Sequence, residues 1–138
     1  MEKITRLNYV DQAEEVIKKL KKPMVTTSKL RNLLAITSDI YNQVVSSESD
    51  DLDENIKEQI EYLRIRFIYE IGRDEQKYYD NKLKKEIVKQ GSVSEFVKGA
   101  NLLNELENIN GSRENYIIFS RYMEALVAFH KYYGVKEQ

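Results

Sequence analysis

"EYLRIRFIYEIGRDEQK", residues 61–77, is the stretch whose reading decides the fold. A helix turns about 100° per residue, so Leu63, Phe67 and Ile71 fall on one face, and Ile56 and Ile60 upstream extend the same stripe at steps of three or four. The opposite side carries Tyr62, Arg66, Tyr69, Arg73 and Gln76, spaced 4, 3, 4 and 3. A face that meets only water ordinarily holds Glu and Lys. Alternating Tyr and Arg suits a contact surface, because Arg forks a phosphate while Tyr stacks or hydrogen-bonds. The same pattern also fits a long helix buried on most sides, with Arg66 and Arg73 paired to Glu70, Asp74 or another helix.

Outward from this helix, which is expected over about residues 53–77, the rest of the chain also reads as helical. "RLNYVDQAEEVIKKLKK" (6–22) lines up Val10, Ala13, Val16 or Ile17, and Leu20, and Pro23 is expected to end it. A second helix runs from about Ser28 to Val45, with Leu30, Leu33, Leu34, Ile40, Tyr41, Val44 and Val45 on one face. "SSESDDLDEN" (46–55) is a polar, acidic loop whose aspartates can cap the third helix. "QKYYDNKLKKEIVKQG" (76–91) continues with a weaker helical pattern at Tyr79, Leu83 and Ile87, and Gly91 stops it. "SVSEFVKGANLLNELENING" (92–111) opens with a Ser92–Glu95 capping box and ends at Gly111. The last helix, "SRENYIIFSRYMEALVAFHKYYG" (112–134), presents Phe119, Tyr122, Met123, Leu126, Phe129 and Tyr133 and is closed by Gly134. Six helical pieces, short connections and no convincing strand predict an all-α fold: one compact antiparallel bundle of five to six helices spanning 1–138.

Composition supports this and narrows function. The chain has 138 residues, 41% hydrophobic and 33% charged, enough for one domain with a real core. Its net charge of −1 means that any affinity for nucleic acid must come from a local basic patch. With no cysteine there is no disulfide framework, thiolate chemistry or Cys-based metal site, which fits a cytoplasmic location. The N-terminus lacks the apolar core of a signal peptide, and no apolar run approaches the ~20 residues of a membrane span.

Enzyme constellations are mostly missing. His130 is the only histidine, so one chain cannot build a two-His metal site, and its place four residues after Leu126 suits a core or boundary residue. There is no phosphate-binding glycine loop and no G-x-S-x-G. The acidic run 48–54 lacks the ligand alternation and central glycine of a calcium loop and reads as a solvated cap. No catalytic residue, metal or cofactor is expected.

"TTSKLRNLL" (26–34) poses a local puzzle. Thr26, Thr27 and Ser28 offer caps, yet Lys29 and Arg31 follow, where the helix dipole disfavours cations and a capping box would place an acid. A helix start binds anions, so these cations suit a docked phosphate; alternatively they point to solvent or pair with the acidic loop. In the last helix, Arg121, Ala125, Ala128 and Tyr132 form a second face, suited to another backbone or subunit or to packing on both sides.

"TTSKLRNLL", "YLRIRFIYEIGR" and "RYMEALVAFHKYY" occur in this order in the small helical subunit of type III-A CRISPR effector (Csm) complexes, and over residues 7–133 this chain resembles that family. The resemblance implies a helical bundle that sits in several copies along a ribonucleoprotein filament, contacts target RNA as it pairs with guide RNA, and leaves cutting to other subunits. It implies partners among the guide-carrying backbone subunits, the large subunit and other copies of itself, with no membrane. It makes Lys29, Arg31, Arg64, Arg66, Arg73 and Arg121 candidates for RNA contact, with Ser28, Tyr62, Tyr69 and Tyr132 in supporting or subunit-contact roles. One departure is expected: residues 74–91 form a lysine-rich insert relative to the family. The competing expectation is a helical adaptor whose Tyr/Arg faces bind protein only; a hydrolase using His130 is a third.

Overall fold

The computed structural model describes residues 2–21, 24–74 and 76–136, with side chains at 76, 77, 135 and 136 excepted. Pro23, expected to end the first helix, lies outside the described residues. The elements are α1 (Tyr9–Lys19), α2 (Thr27–Val45), α3 (Glu54–Asp74), β1 (Gln76–Asp80), β2 (Lys85–Lys89), α4 (Ser92–Gly99), α5 (Leu102–Ile109) and α6 (Arg113–Lys136).

Cross-helix bonds fix the directions. The start of α6 meets the end of α2, where Arg113 Nε donates to the Val44 and Ser47 carbonyls. Its far end meets the start of α2, where His130 Nε2 lies 2.7 Å from the Val25 carbonyl. α6 and α2 are therefore antiparallel. α3 runs back along α2, so that Asp74 at its end reaches Lys29 near the start of α2. α1 lies on α6, and α4 and α5 close the bundle against α3 and α6. This is the all-α bundle that the periodicities predict.

The core follows the stripes. Ile56, Ile60, Leu63 and Phe67 of α3 are buried with Leu30, Leu33, Ile40 and Val44 of α2 and Phe119, Tyr122, Met123 and Leu126 of α6. Two tyrosines are satisfied inside: Tyr116 donates to the Thr37 carbonyl at 2.7 Å and Tyr122 to the Ala100 carbonyl at 2.8 Å. Burial pushes both phenols up, so both stay neutral donors. Val10 and Val45, placed on inner stripes by sequence, are exposed because each sits where its helix leaves the core.

Four local expectations are corrected. Residues 76–89 form an antiparallel hairpin, with Tyr78 opposite Ile87 and Tyr79 opposite Glu86, instead of a further helix. Tyr78, Tyr79, Ile87 and Val88 are strand formers, and Asp80 makes the turn by accepting from the Lys82 and Leu83 N–H groups. The Ser92–Glu95 capping box does not form. Glu95 accepts from the Lys21 N–H instead, and Asp74 caps α4. The 92–111 helix is broken into α4 and α5 at Asn101, whose φ of 58° is left-handed. Gly134 does not close α6, which continues to Lys136. The acidic loop does cap as expected: Asp53 Oδ1 accepts the Ile56 N–H at 2.8 Å. It is also tied down, with Leu52 N–H bonded to Gly111 and Leu52 buried.

Candidate nucleic-acid interface

α3 buries one side and presents the other, which fixes where its Tyr/Arg series lies. Tyr62 and Tyr69 are 54% and 52% exposed, and Arg73 is exposed at the last turn. Arg66 lies between, its guanidinium 5.0 Å from the centre of the Tyr69 ring. That contact lets Tyr69 orient Arg66 without consuming its donors. Below them sits Glu70, 5% exposed, accepting from Arg66 Nη2 at 3.2 Å, with Arg73 Nη1 at 3.9 Å. The arginines are thus paired to Glu70, as in the structural alternative, and still stand on the solvent side. Arg64 occupies the other flank and pairs with Glu61 at 3.6 Å. The side chain of Gln76, the last member of the series, lies outside the described residues.

The start of α2 resolves differently. Thr26 is the cap, accepting from the Lys29 N–H at 3.4 Å, so Lys29 takes the third helical position where an acid is favoured. The missing negative charge is supplied within the chain. Lys29 Nζ lies 2.6 Å from Asp74 Oδ1, while Asp74 Oδ2 accepts from Ser92 Oγ at 3.1 Å and Val93 N–H at 2.8 Å. Burial alone would raise the Asp74 carboxyl; bonds from Lys29, Val93 and Ser92 hold it below its ordinary value. The start of α2 is therefore not an open anion site at Lys29, nor do its cations pair with the acidic loop. Ser28 and Arg31 are exposed, and no ion pair engages Arg31 among the described residues. Lys29 and Arg31 lie on opposite flanks, as the wheel predicts.

Arg121 is not with the α3 arginines. It lines a cavity of about 630 Å³ between α1 and the start of α6, with Arg6, Tyr9, Asp50 and Arg113. Hydrogen bonding to Tyr9, the nearby Tyr41 oxygen and a further bond to Tyr41 reinforce its charge. Arg6 pairs with Glu114 at 3.4 Å. Tyr132, 52% exposed near the end of α6, meets the Tyr133 ring edge-on at 5.1 Å. Of the two acids that sequence offers as partners of Arg66 and Arg73, Glu70 takes both, while Asp74 pairs with Lys29 across the fold. Sequence reading missed Arg6 and Arg113, whose partners lie far along the chain. His130 is 6% exposed and serves the core by holding the Val25 carbonyl.

Residues 3–136 match the family model described as Csm2 type III-A. This chain belongs to the type III-A Csm2 family. Among curated relatives, the CRISPR system protein Csm2 of Mycobacterium tuberculosis is 37% identical over 135 residues, covering 95% of each chain. The Csm2 of Streptococcus thermophilus is 35% identical over 139 residues, covering 97% of this chain and 98% of its own. That of Enterococcus italicus is 31% identical over 115 residues, covering 79% and 68%. Family membership extends over both helix signatures and the last helix, so the α2–α3 junction and the α3 outer face both lie within the matched span. No helix of this chain is long and apolar enough to cross a membrane, among the described residues.

Proposed function

We propose that this chain is the non-catalytic small subunit of a type III-A CRISPR ribonucleoprotein in the cytoplasm. It holds target RNA and the guide–target duplex by their backbones, without reading sequence, and helps assemble the interference complex. Its partners are then target and guide RNA, the guide-carrying backbone subunits, the large subunit and other copies of itself. The observation that carries the reading is the exposed edge of α3 in a Csm2-family chain: Arg66 and Arg73 are held in place by Glu70 with Tyr62 and Tyr69 beside them. Arginines fixed by a buried carboxylate lose little freedom on meeting a phosphate, and two cations around one acid leave a net positive charge. Arg31, Arg64 and Arg121 are further contacts; Lys29, already paired to Asp74, is the weakest contributor.

The test is charge removal. Arg66→Gln with Arg73→Gln should weaken retention of every target sequence to a similar degree and make the salt dependence shallower, by roughly 0.7–0.9 per lost phosphate contact. Lys29→Gln should have the smallest effect on RNA. If affinity fell for only some sequences, or not at all, the backbone-binding reading would be wrong. Tagged protein should also bring down a short guide RNA together with larger subunits.

A second reading, a protein adaptor with no RNA contact, is favoured by Ile65 and Ile68, which are 60% and 49% exposed on α3. Exposed aliphatic side chains beside Tyr and Arg are typical of protein interfaces. Salt-independent assembly without any mobility shift of unstructured RNA would establish the adaptor.

A further inference from the structure

The β1–β2 hairpin is the part of the chain that the bundle does not use. Its strands pack chiefly on each other, and Tyr78, Tyr79, Leu83 and Val88 are 51–60% exposed. A two-stranded ribbon is marginal in water unless something covers it. Its base, however, is firmly rooted. Gly91 lies so close to the Asp74 carbonyl that no Cβ would fit, and Asp74 is itself bound to Lys29, Ser92 and Val93. The segment also carries an excess of positive charge in a chain of net charge −1: residues 76–89 hold five lysines against two acids.

Register makes the two faces unlike. Directly opposed residues share a face, so Tyr78 and Ile87 stand together, with Lys85 and Lys89 two residues to either side of Ile87. Asp80 shares this face directly opposite Lys85, and its Oδ1 accepts from the Lys82 and Leu83 N–H groups of the turn. The other face sets Tyr79 against Glu86 and, in register, Lys77 against Val88. One face is thus an aromatic platform flanked by two lysines whose Cα atoms stand about 13 Å apart; the other places a carboxylate directly opposite its ring.

We infer that the Tyr78 face of this hairpin binds unpaired RNA, with the Tyr78 ring stacked on a base and Lys85 and Lys89 on flanking phosphates. This rests on the RNA-binding reading above and adds a site separate from the α3 arginines. A polyanion matches the lysine excess, and an open base offers a π-face that a stacked duplex hides. Lysines without arginines hold phosphate as point charges, so the grip is independent of sequence.

The test uses the full chain, a fluorescein-labelled oligouridylate and an RNA duplex of equal length, read by anisotropy at several salt concentrations. Tyr78→Ser should weaken oligouridylate binding about tenfold and leave duplex binding nearly unchanged. Lys85→Gln with Lys89→Gln should lower the salt slope by roughly 0.7 per lysine. Tyr79→Ser should bind like the parent. Equal binding by parent and Tyr78→Ser, with Arg66→Gln/Arg73→Gln still defective, overturns the hairpin site alone. Loss with Tyr79→Ser but not Tyr78→Ser also overturns it and makes the hairpin a protein-docking arm. A parent chain that binds neither RNA overturns both the hairpin site and the RNA-binding function.

Discussion

Lys29 on α2 and Asp74 at the end of α3 meet at 2.6 Å, and through Asp74 the contact extends to the start of α4. One carboxylate therefore joins three helices and the root of the hairpin. Asp74→Ala removes the cap of α4 and leaves a half-buried ammonium. It should cost about 2 kcal/mol, seen as a lower urea midpoint at unchanged slope. A double-mutant cycle with Lys29→Met should give a coupling well above that of an exposed pair.

The same junction sets an acid limit. The Asp74 carboxyl is below its ordinary value of 3.8 when folded, because Lys29, Val93 and Ser92 outweigh the opposing burial. Its contribution is present above pH 3.8 and is lost as pH falls through the depressed folded value. Glu105 behaves oppositely. Burial raises its carboxyl above 4.5, against the Ile4 N–H and Asn108, so its ionised form costs stability above the raised value, and that cost is relieved as pH falls toward 4.5. In urea melts at a series of pH values, Glu105→Gln should gain on the parent as pH rises from 4.5. Asp74→Asn should approach the parent below 3.8.

Glu70 should make the α3 arginines interdependent. Arg73→Ala alone should change stability by at most about 0.5 kcal/mol, since Arg73 is exposed and its contact is 3.9 Å. Arg66→Ala should cost about 1 kcal/mol. Together they strand a carboxylate that is 5% exposed, so the pair should cost about 3 kcal/mol, more than their sum. Chemical denaturation of the three variants measures this directly.

His130→Ala should destabilise the fold by about 3 kcal/mol, because it opens a cavity and strips the partner from the buried Val25 carbonyl. RNA retention by the folded fraction should be unchanged. Retained stability with lost function would instead assign His130 a chemical role.

Sequence alone determined the helices whose apolar stripes are long. Ile56 to Phe67 on α3 and Phe119 to Leu126 on α6 repeat often enough that no other periodicity competes, and burying such stripes forces a bundle. It was otherwise at residues 76–91. Tyr, Lys, Ile and Val recur there at spacings compatible with a weak helix, and the Asp80–Asn81 turn and local strand preference prevailed because no core stripe had to be buried. Only the tertiary structure decided which charges are spent internally. Lys29 and Arg31 look alike in sequence, but helix direction brings Asp74, 45 residues away, to the first and leaves the second facing solvent. Helical periodicity is a local property that the chain carries with it; charge pairing depends on which helix ends the packed core brings together.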